Sequence, residues 1–263
     1  MSSYFAFFLK LMVFTMNAQL STIIDIARAF TVSLMLSYAA YQDIKVRRVT
    51  NKVWMVFAPI AIVLLTAEIV FSNIERYAIM LMLINIVMGF IVAFAAFYLG
   101  ILGGADAKAI MILSVLVPRW PVYTMNPLEV MPPILDALIT SAVIALIYFP
   151  IIFVYNLLRG DTELPLGLLG IKMCKDQAVK RKTYYIPLYK LSKDTGKLEL
   201  RIRLTLPPED ELEGIWRAIE SSDMDEIWVS PGIPFMVYLF IGTVIIMVFG
   251  DVFLRFLLGV FLR

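Results

Sequence analysis

Residues 77–117 read YAIMLMLINIVMGFIVAFAAFYLGILGGADAKAIMILSVLV, and Asp106 and Lys108 are the only charged residues in that stretch. Its first part, Tyr77 to Leu99, is long enough as a helix, at about 1.5 Å per residue, to cross a hydrocarbon core about 30 Å thick. The second apolar run, Gly104 to Val117, is short for a full span, which predicts a tilted or partly sheltered helix. Glycines 100, 103 and 104 lie between the two, where helix formers would serve a plain span better. They let the backbone bend and approach its neighbours closely. A carboxylate placed there is costly to hold near lipid unless it is paired, neutralised or used.

The rest of the chain extends this reading. Of 263 residues 61% are hydrophobic and 17% charged, with a mean hydropathy of +0.85. That is more apolar surface than one soluble core could bury, so lipid is the expected solvent. The 23 basic and 21 acidic residues leave a net charge of +2, and nothing points to a nucleic-acid partner. Cys174 is the sole cysteine and there is no histidine. An intrachain disulfide is excluded, and the usual zinc, haem and imidazole-base chemistries lack their ligands or bases. Hydrolysis would have to run on carboxylates, hydroxyls, the thiol or a lysine, and neither a metal nor a cofactor is expected.

Four further apolar segments, Ile23–Tyr41, Val53–Phe71, Pro133–Leu157 and Pro234–Val260, bring the expected spans to six. The expected fold class is an all-α polytopic membrane protein, with a small α+β cytoplasmic domain inserted before the last helix. Residues 1–22 form an apolar N-terminal segment, interfacial or an additional span; Lys10 interrupts it, and no small-residue cleavage site marks it as a signal peptide. Residues 23–157 hold the first five spans and 229–263 the last. Lys45, Arg47, Arg48 and Lys52 follow the first span, whereas the next loop offers Arg76 beside Glu75, so the first loop is placed in the cytoplasm. Alternation then puts Gly103–Lys108 and the insert on that side too. Asp251 and Arg255 in the last span are read as an intrahelical ion pair.

The insert, 158–228, holds 12 of the 23 basic and 13 of the 21 acidic residues, the balance of a soluble unit. KLELRIRLTL from Lys197 alternates strictly, as a half-buried strand does, and pairs in a hairpin with TYYIPLYKL across a KDTG turn. Asp194-Thr195-Gly196 is spelled like the active-site triplet of pepsin-like proteases. It is present once, where a hairpin needs a turn, and is read as that turn. Pro207 and Pro208 before Glu209, Asp210, Glu211 and Glu213 start a helix with an apolar stripe of Leu212, Ile215, Trp216 and Ile219.

Asp43, in AAYQDIKVRRVTN, ends the first span, and Asp106 lies between the third and fourth. On the orientation above both sit at the same cytoplasmic depth. Asp43 alone would pass for an ordinary interfacial charge; paired with Asp106 it has a use. Two carboxylates in a site of low dielectric do not both ionise easily and share a proton. One then acts as base on an attacking water while the other protonates the scissile carbonyl oxygen. The alternative from another class is a transporter or channel that relays protons or ions through buried aspartates, although no internal repeat supports it. Lys108 either biases a neighbouring carboxylate or snorkels to the interface, and Pro231–Pro234 is non-helical, starting the last span or positioning an extended substrate.

Asp43-Ile44-Lys45 with Arg47, Arg48 and Asn51, followed by Gly103-Gly104-Ala105-Asp106-Ala107-Lys108, resembles the two signatures of the prepilin peptidases, the GxGD-type aspartyl proteases. The archaeal branch, the preflagellin or class III signal peptidases, is the most similar, and LLGIKM (168–173) and EIWVSPGIPFMVYLFIG (226–242) fit its pattern. Ala105 stands where the signature has glycine. The resemblance implies a six-span membrane endopeptidase in the cell membrane, with Asp43 and Asp106 catalytic and Gly103, Gly104, Ala105 and Lys108 in the active-site motif. It implies removal of short basic leaders from archaellin or type IV pilin-like precursors at the cytoplasmic face. The paired CxxC motifs of the bacterial methylating members are missing, which implies a protease without methyltransferase activity. The acids at 209–213 could hold a basic leader, or simply start a helix.

Overall fold

A computed structural model of the chain describes residues 2–72, 74–125, 131–161, 163–192, 198–201 and 207–261. Helix α1, Ser2–Val46, is unbroken through residue 22, so the N-terminal segment continues the helix of the first expected span. Helices α2 (Asn51–Phe71) and α3 (Arg76–Tyr98) follow, then α4 (Gly104–Leu116), α5 (Pro133–Leu146) and α6 (Tyr148–Arg159). Four helical stretches, Gln19–Val46, Asn51–Phe71, Arg76–Tyr98 and the nearly continuous Pro133–Arg159, are long and apolar enough to cross a membrane. Their outer faces expose large apolar side chains such as Phe30, Ile62, Phe94 and Ile151. This is the surface of a membrane protein, with lipid in the role that a core plays elsewhere.

Helix α4 is too short to span on the same measure, and its sides are protein rather than lipid: Ala109, Ile110, Leu113 and Leu116 are fully or almost fully buried. The short apolar run in the sequence therefore marks a sheltered helix, packed against α2 and α3. Asn85 on α3 ties down its far end. The Asn85 amide donates to the carbonyls of Ser114 and Val117 at 2.9 and 3.0 Å and accepts the Ile134 N–H at 2.9 Å. One buried side chain thus satisfies orphan backbone groups at the end of α4 and the start of α5, where no water reaches them.

The insert contains α7 (Leu166–Leu169), β1 (Ile171–Cys174), α8 (Lys175–Lys180), β2 (Tyr185–Pro187), β3 (Tyr189–Leu191), β4 (Leu198–Leu200), α9 (Glu209–Glu220) and β5 (Glu226–Pro231). Strand β5 lies between β1 and β2, antiparallel to both. The expected hairpin is present as β3 and β4, with Tyr189 opposite Leu200 and Leu191 opposite Leu198. Its Lys193–Gly196 turn and the strand residues from Ile202 on fall outside the described residues. Ile215, Trp216 and Ile219 of α9 are buried with Ile227, Trp228 and Val229 in a core of the insert's own.

The last expected span is two helices, not one. Helix α10, Phe235–Phe249, stops at Gly250, whose φ of +78° a helix cannot continue through, and α11, Val252–Phe261, starts anew. Asp251, expected inside a helix, is at the break and fully buried.

Candidate active site

Asp106 owes its place to a tight reversal. Helix α3 ends at Tyr98, and Gly100 takes a φ of +68°, a left-handed conformation that glycine adopts without strain. Helix α4 then starts from Gly103, so Asp106 occupies its first turn, and the Gly103 N–H donates to Asp106 Oδ2 at 3.1 Å. A Cβ on Gly103 would stand 3.3 Å from that same oxygen, tighter than ordinary contact, which explains glycine there. Gly104 meets only an ordinary contact with the Phe97 ring, and Ala105 packs its methyl against the bundle core. The first turn of a helix is the positive end of its dipole and suits a carboxylate.

Asp43 approaches from the last turns of α1 and is half-buried, as Asp106 is. Its Oδ2 accepts the N–H of Met236, in the first turn of α10, at 3.3 Å. The two aspartates, far apart in sequence, are near enough for the charge of Asp43 to act on Asp106. Each is held by a backbone amide at a helix start, and no lysine or arginine is salt-bridged to either among the described residues. Arg47, one turn beyond Asp43, exerts only a through-space pull on it.

Sequence reasoning left Lys108 and Pro231–Pro234 open, and the structure gives both a partner. Lys108 Nζ donates to Asn51 Oδ1 at 2.8 Å, joining α4 to the start of α2 beside the site. Pro234 caps α10 and so sets the amide that reaches Asp43. The proline-bounded start of the last span was visible in the sequence; that its first turn would serve Asp43 was not, because a backbone donor carries no residue-type signal. The insert joins here as well. Tyr184 donates its hydroxyl to the Lys45 carbonyl at 2.7 Å, Arg47 lies over the Tyr184 ring at 5.7 Å, and the Gly232 N–H donates to the Tyr184 carbonyl at 2.9 Å. On α9, Glu213 is taken up by Arg217 at 3.1 Å, and none of the described contacts of Asp43 or Asp106 comes from that helix.

A second charged cluster occupies the other end of the bundle. Arg119 contacts Asp25 Oδ2 at 3.1 Å and, through Nε, Glu68 Oε1 at 2.7 Å; Arg28 is paired with Glu68 and lies 3.7 Å from Asp25. The Val122 N–H completes the shell of Asp25 at 2.8 Å. Glu68 was missed in the sequence because a single acid near the end of an apolar run reads as an interfacial charge. Its two partners, Arg28 on α1 and Arg119 after α4, come from different segments, and only the fold shows the pairing.

Two family models match the chain. One, described as the type IV leader peptidase family, covers residues 30–150; the other, described as archaeal peptidase A24 C-terminus type II, covers residues 162–252. The chain is similar to the preflagellin peptidase of Methanocaldococcus jannaschii, 26% identical over 238 residues, 86% of this chain and 95% of that protein. It is also similar to the preflagellin peptidase of Methanococcus voltae, 27% identical over 239 residues, 88% and 98% of the two chains. That of Methanococcus maripaludis is 25% identical over 248 residues, 86% and 96%.

Proposed function

The chain belongs to the type IV leader peptidase family and is a protease of the prepilin and preflagellin peptidase type, and from that premise we propose that Asp43 and Asp106 are its catalytic pair. The observation that carries this is their approach at one end of the bundle, each on a helix-start amide and neither salt-bridged among the described residues, with Arg47 acting on Asp43 only through space. Such a pair can hold one proton between its members. The ionised member draws a proton from a water as that water adds to the scissile carbonyl; the protonated member gives its proton to the carbonyl oxygen. Collapse of the tetrahedral intermediate returns a proton to the leaving amine and frees the two products. Gly103 and Met236 supply N–H groups that fix which carboxylate oxygens face the substrate.

The substrates on this reading are archaellin or type IV pilin-like precursors, as the names of the similar proteins suggest, and the leader is cut off without methylation of the new terminus. The active site and the insert face the cytoplasm, supported by Lys45, Arg47, Arg48 and Lys52 clustered after α1. Helices α4 and α10 complete six segments, the two short ones sheltered by the four that face lipid. Residues 158–228 act as a soluble domain whose β5 leads into α10, so it sets the position of the Met236 amide on Asp43.

The test is cleavage of a leader-bearing archaellin or pilin precursor by membranes holding matched amounts of wild type, Asp43→Asn or Asp106→Asn protein. Wild type is expected to cut at the leader junction and each variant to be inactive. Full activity in either variant removes that aspartate from the mechanism, and an inactive wild type on every precursor favours ion or proton relay instead.

A further inference from the structure

Helix α1 ends just before Arg47, and Arg47 takes a φ of +55°, the only positive φ outside glycine among the described residues. That left-handed conformation suits glycine and strains a residue with a side chain, so an arginine kept there calls for a use. The backbone closes the helix in the ordinary way, the Arg47 N–H donating to the Asp43 carbonyl at 3.1 Å. The side chain is the unusual part. The residue is half-buried, no carboxylate is salt-bridged to it among the described residues, and its Nε is buried without a hydrogen-bond partner.

Two surfaces hold the guanidinium instead. It lies over the Tyr184 ring at 5.7 Å, and on the turn before α10 a Cβ at Gly232 would stand 3.8 Å from its Cζ and Nη1. Both surfaces are pinned in their turn. Tyr184 donates its hydroxyl to the Lys45 carbonyl and takes the Gly232 N–H on its own carbonyl, and the Tyr148 hydroxyl of α6 donates to the Pro231 carbonyl at 3.4 Å. The end of α1, Tyr184 of the insert and the Pro231–Pro234 turn therefore meet at one side chain. Met236, four residues past Gly232, gives its N–H to Asp43 Oδ2 at 3.3 Å.

We propose that Arg47 is a positioning residue, whose guanidinium, packed on Tyr184 and Gly232, holds the Pro231–Pro234 turn against the end of α1 and so keeps the Met236 amide in register with Asp43. This rests on the reading of Asp43 as catalytic. A planar guanidinium suits the task because it stacks flat on a ring and keeps a fixed outline toward the turn, which a rounder, strongly hydrated ammonium does not. The strained backbone then has its reason: the left-handed step at residue 47 turns the side chain away from the helix axis and toward the insert.

The experiment compares precursor cleavage and thermal unfolding of the full chain in detergent for wild type and variants. Arg47→Gly is expected to unfold within about 2 °C of wild type, because glycine adopts that φ without strain, while kcat falls by about 10-fold or more and KM for the precursor stays within about 2-fold. Arg47→Lys keeps the charge, loses the flat stack, and is expected to be as slow. Tyr184→Leu removes the surface under the guanidinium; joined to Arg47→Gly it is expected to slow cleavage no further than either change alone, as one shared device requires. An unchanged kcat in Arg47→Gly overturns the proposal, as does a large fall in Tm with cleavage per folded molecule intact. A raised KM at full kcat overturns it too, making the guanidinium a substrate contact, and so do full activity in Arg47→Lys or losses that add in the double variant. Asp43→Asn tests the premise by itself: full activity there removes the premise, whereas an inactive Asp43→Asn beside a fully active Arg47→Gly leaves the aspartate reading standing and sinks the positioning role alone.

Discussion

The two ends of the bundle hold acids in opposite ways. At one end Asp25 and Glu68 are almost entirely buried, and Arg28 and Arg119 give them equal and opposite charge. At the other, Asp43 and Asp106 are half-buried, close enough for the charge of Asp43 to act on Asp106, and each accepts a backbone N–H, with no salt bridge to either among the described residues. A carboxylate matched by guanidinium groups has its charge balanced in place and is suited to holding structure. A carboxylate facing another keeps a proton in play. The partners, more than the burial, separate the two roles.

The largest expected effect tests that separation directly. Asp106→Asn or Asp43→Asn should lower the rate of leader cleavage by at least about 10³-fold, the scale of losing an acid–base group, while Tm stays or rises because a repulsive contact is gone. A Tm fall that accounts for the lost activity would make these aspartates structural and erase the contrast.

At the other end the signs reverse. Arg119→Met leaves Asp25 and Glu68 short of a cation in a dry site. Removing one partner of a buried pair costs about 3–5 kcal/mol, and Arg119, 21% exposed, belongs at the low end. That is a Tm lower by about 6–12 °C for a chain of this size, with cleavage per folded molecule unchanged. Adding Asp25→Asn alone should recover most of the loss, since the penalty comes from unmatched charge and Arg28 then stays matched to Glu68. A single variant as stable as wild type would mean that water solvates the cluster.

How far the sequence reveals these arrangements depends on what kind of signal each leaves. The aspartates were readable because Asp106 stands almost alone in apolar sequence among glycines, and Asp43 lies at a comparable depth beside a basic loop. The α9 stripe was readable from periodicity, which records which face is buried; in the hairpin it gave the β3–β4 pairing but not the burial, since Leu200, expected on the covered face, is 51% exposed. The break at Gly250 was not, because one glycine in an apolar run is tolerated in a helix and only its φ decides the matter. Nor was the Asp25–Arg28–Glu68–Arg119 cluster, since pairing between distant segments leaves no periodic trace. The sequence shows where a chain turns or faces lipid. It does not show which charged groups meet.

Helix α10 spans the two ends and offers a smaller test of how tightly they are joined. Gly242 packs so closely on α5 that an added Cβ would sit 2.8 and 2.9 Å from the backbone N and Cα of Ser141. Gly242→Ala must push the helices apart, a strain of about 1–3 kcal/mol. Because α10 also carries the Met236 amide to Asp43, cleavage should fall by about 10-fold with the precursor still bound, since misplacement of about 1 Å costs up to 10²-fold. Lower Tm with full activity would show that the Asp43 contact is set locally by the Pro231–Pro234 turn and not by helix packing.

The smallest effect belongs to an acid with neither kind of environment. Glu199 on β4 meets Lys190 on β3 at 2.7 Å, with both side chains largely in water, and the neighbouring ammonium holds its carboxyl below the usual range. A depressed carboxyl stabilises the fold only while ionised. Its contribution is present above the ordinary glutamate range, near pH 4.5, and fades as the pH falls below it. Glu199→Gln should leave cleavage untouched and shift Tm at pH 7 by no more than the error of the measurement, because solvent and salt screen an exposed pair and its two long side chains lose freedom in making it. A clear Tm loss at pH 7 that vanishes at pH 4 would show instead that the short β3–β4 ladder leans on this pair. Charge matching would then matter in the insert as it does at the Arg119 end, and the line between structural and chemical acids in this chain would have to be drawn by exposure to lipid rather than by partner.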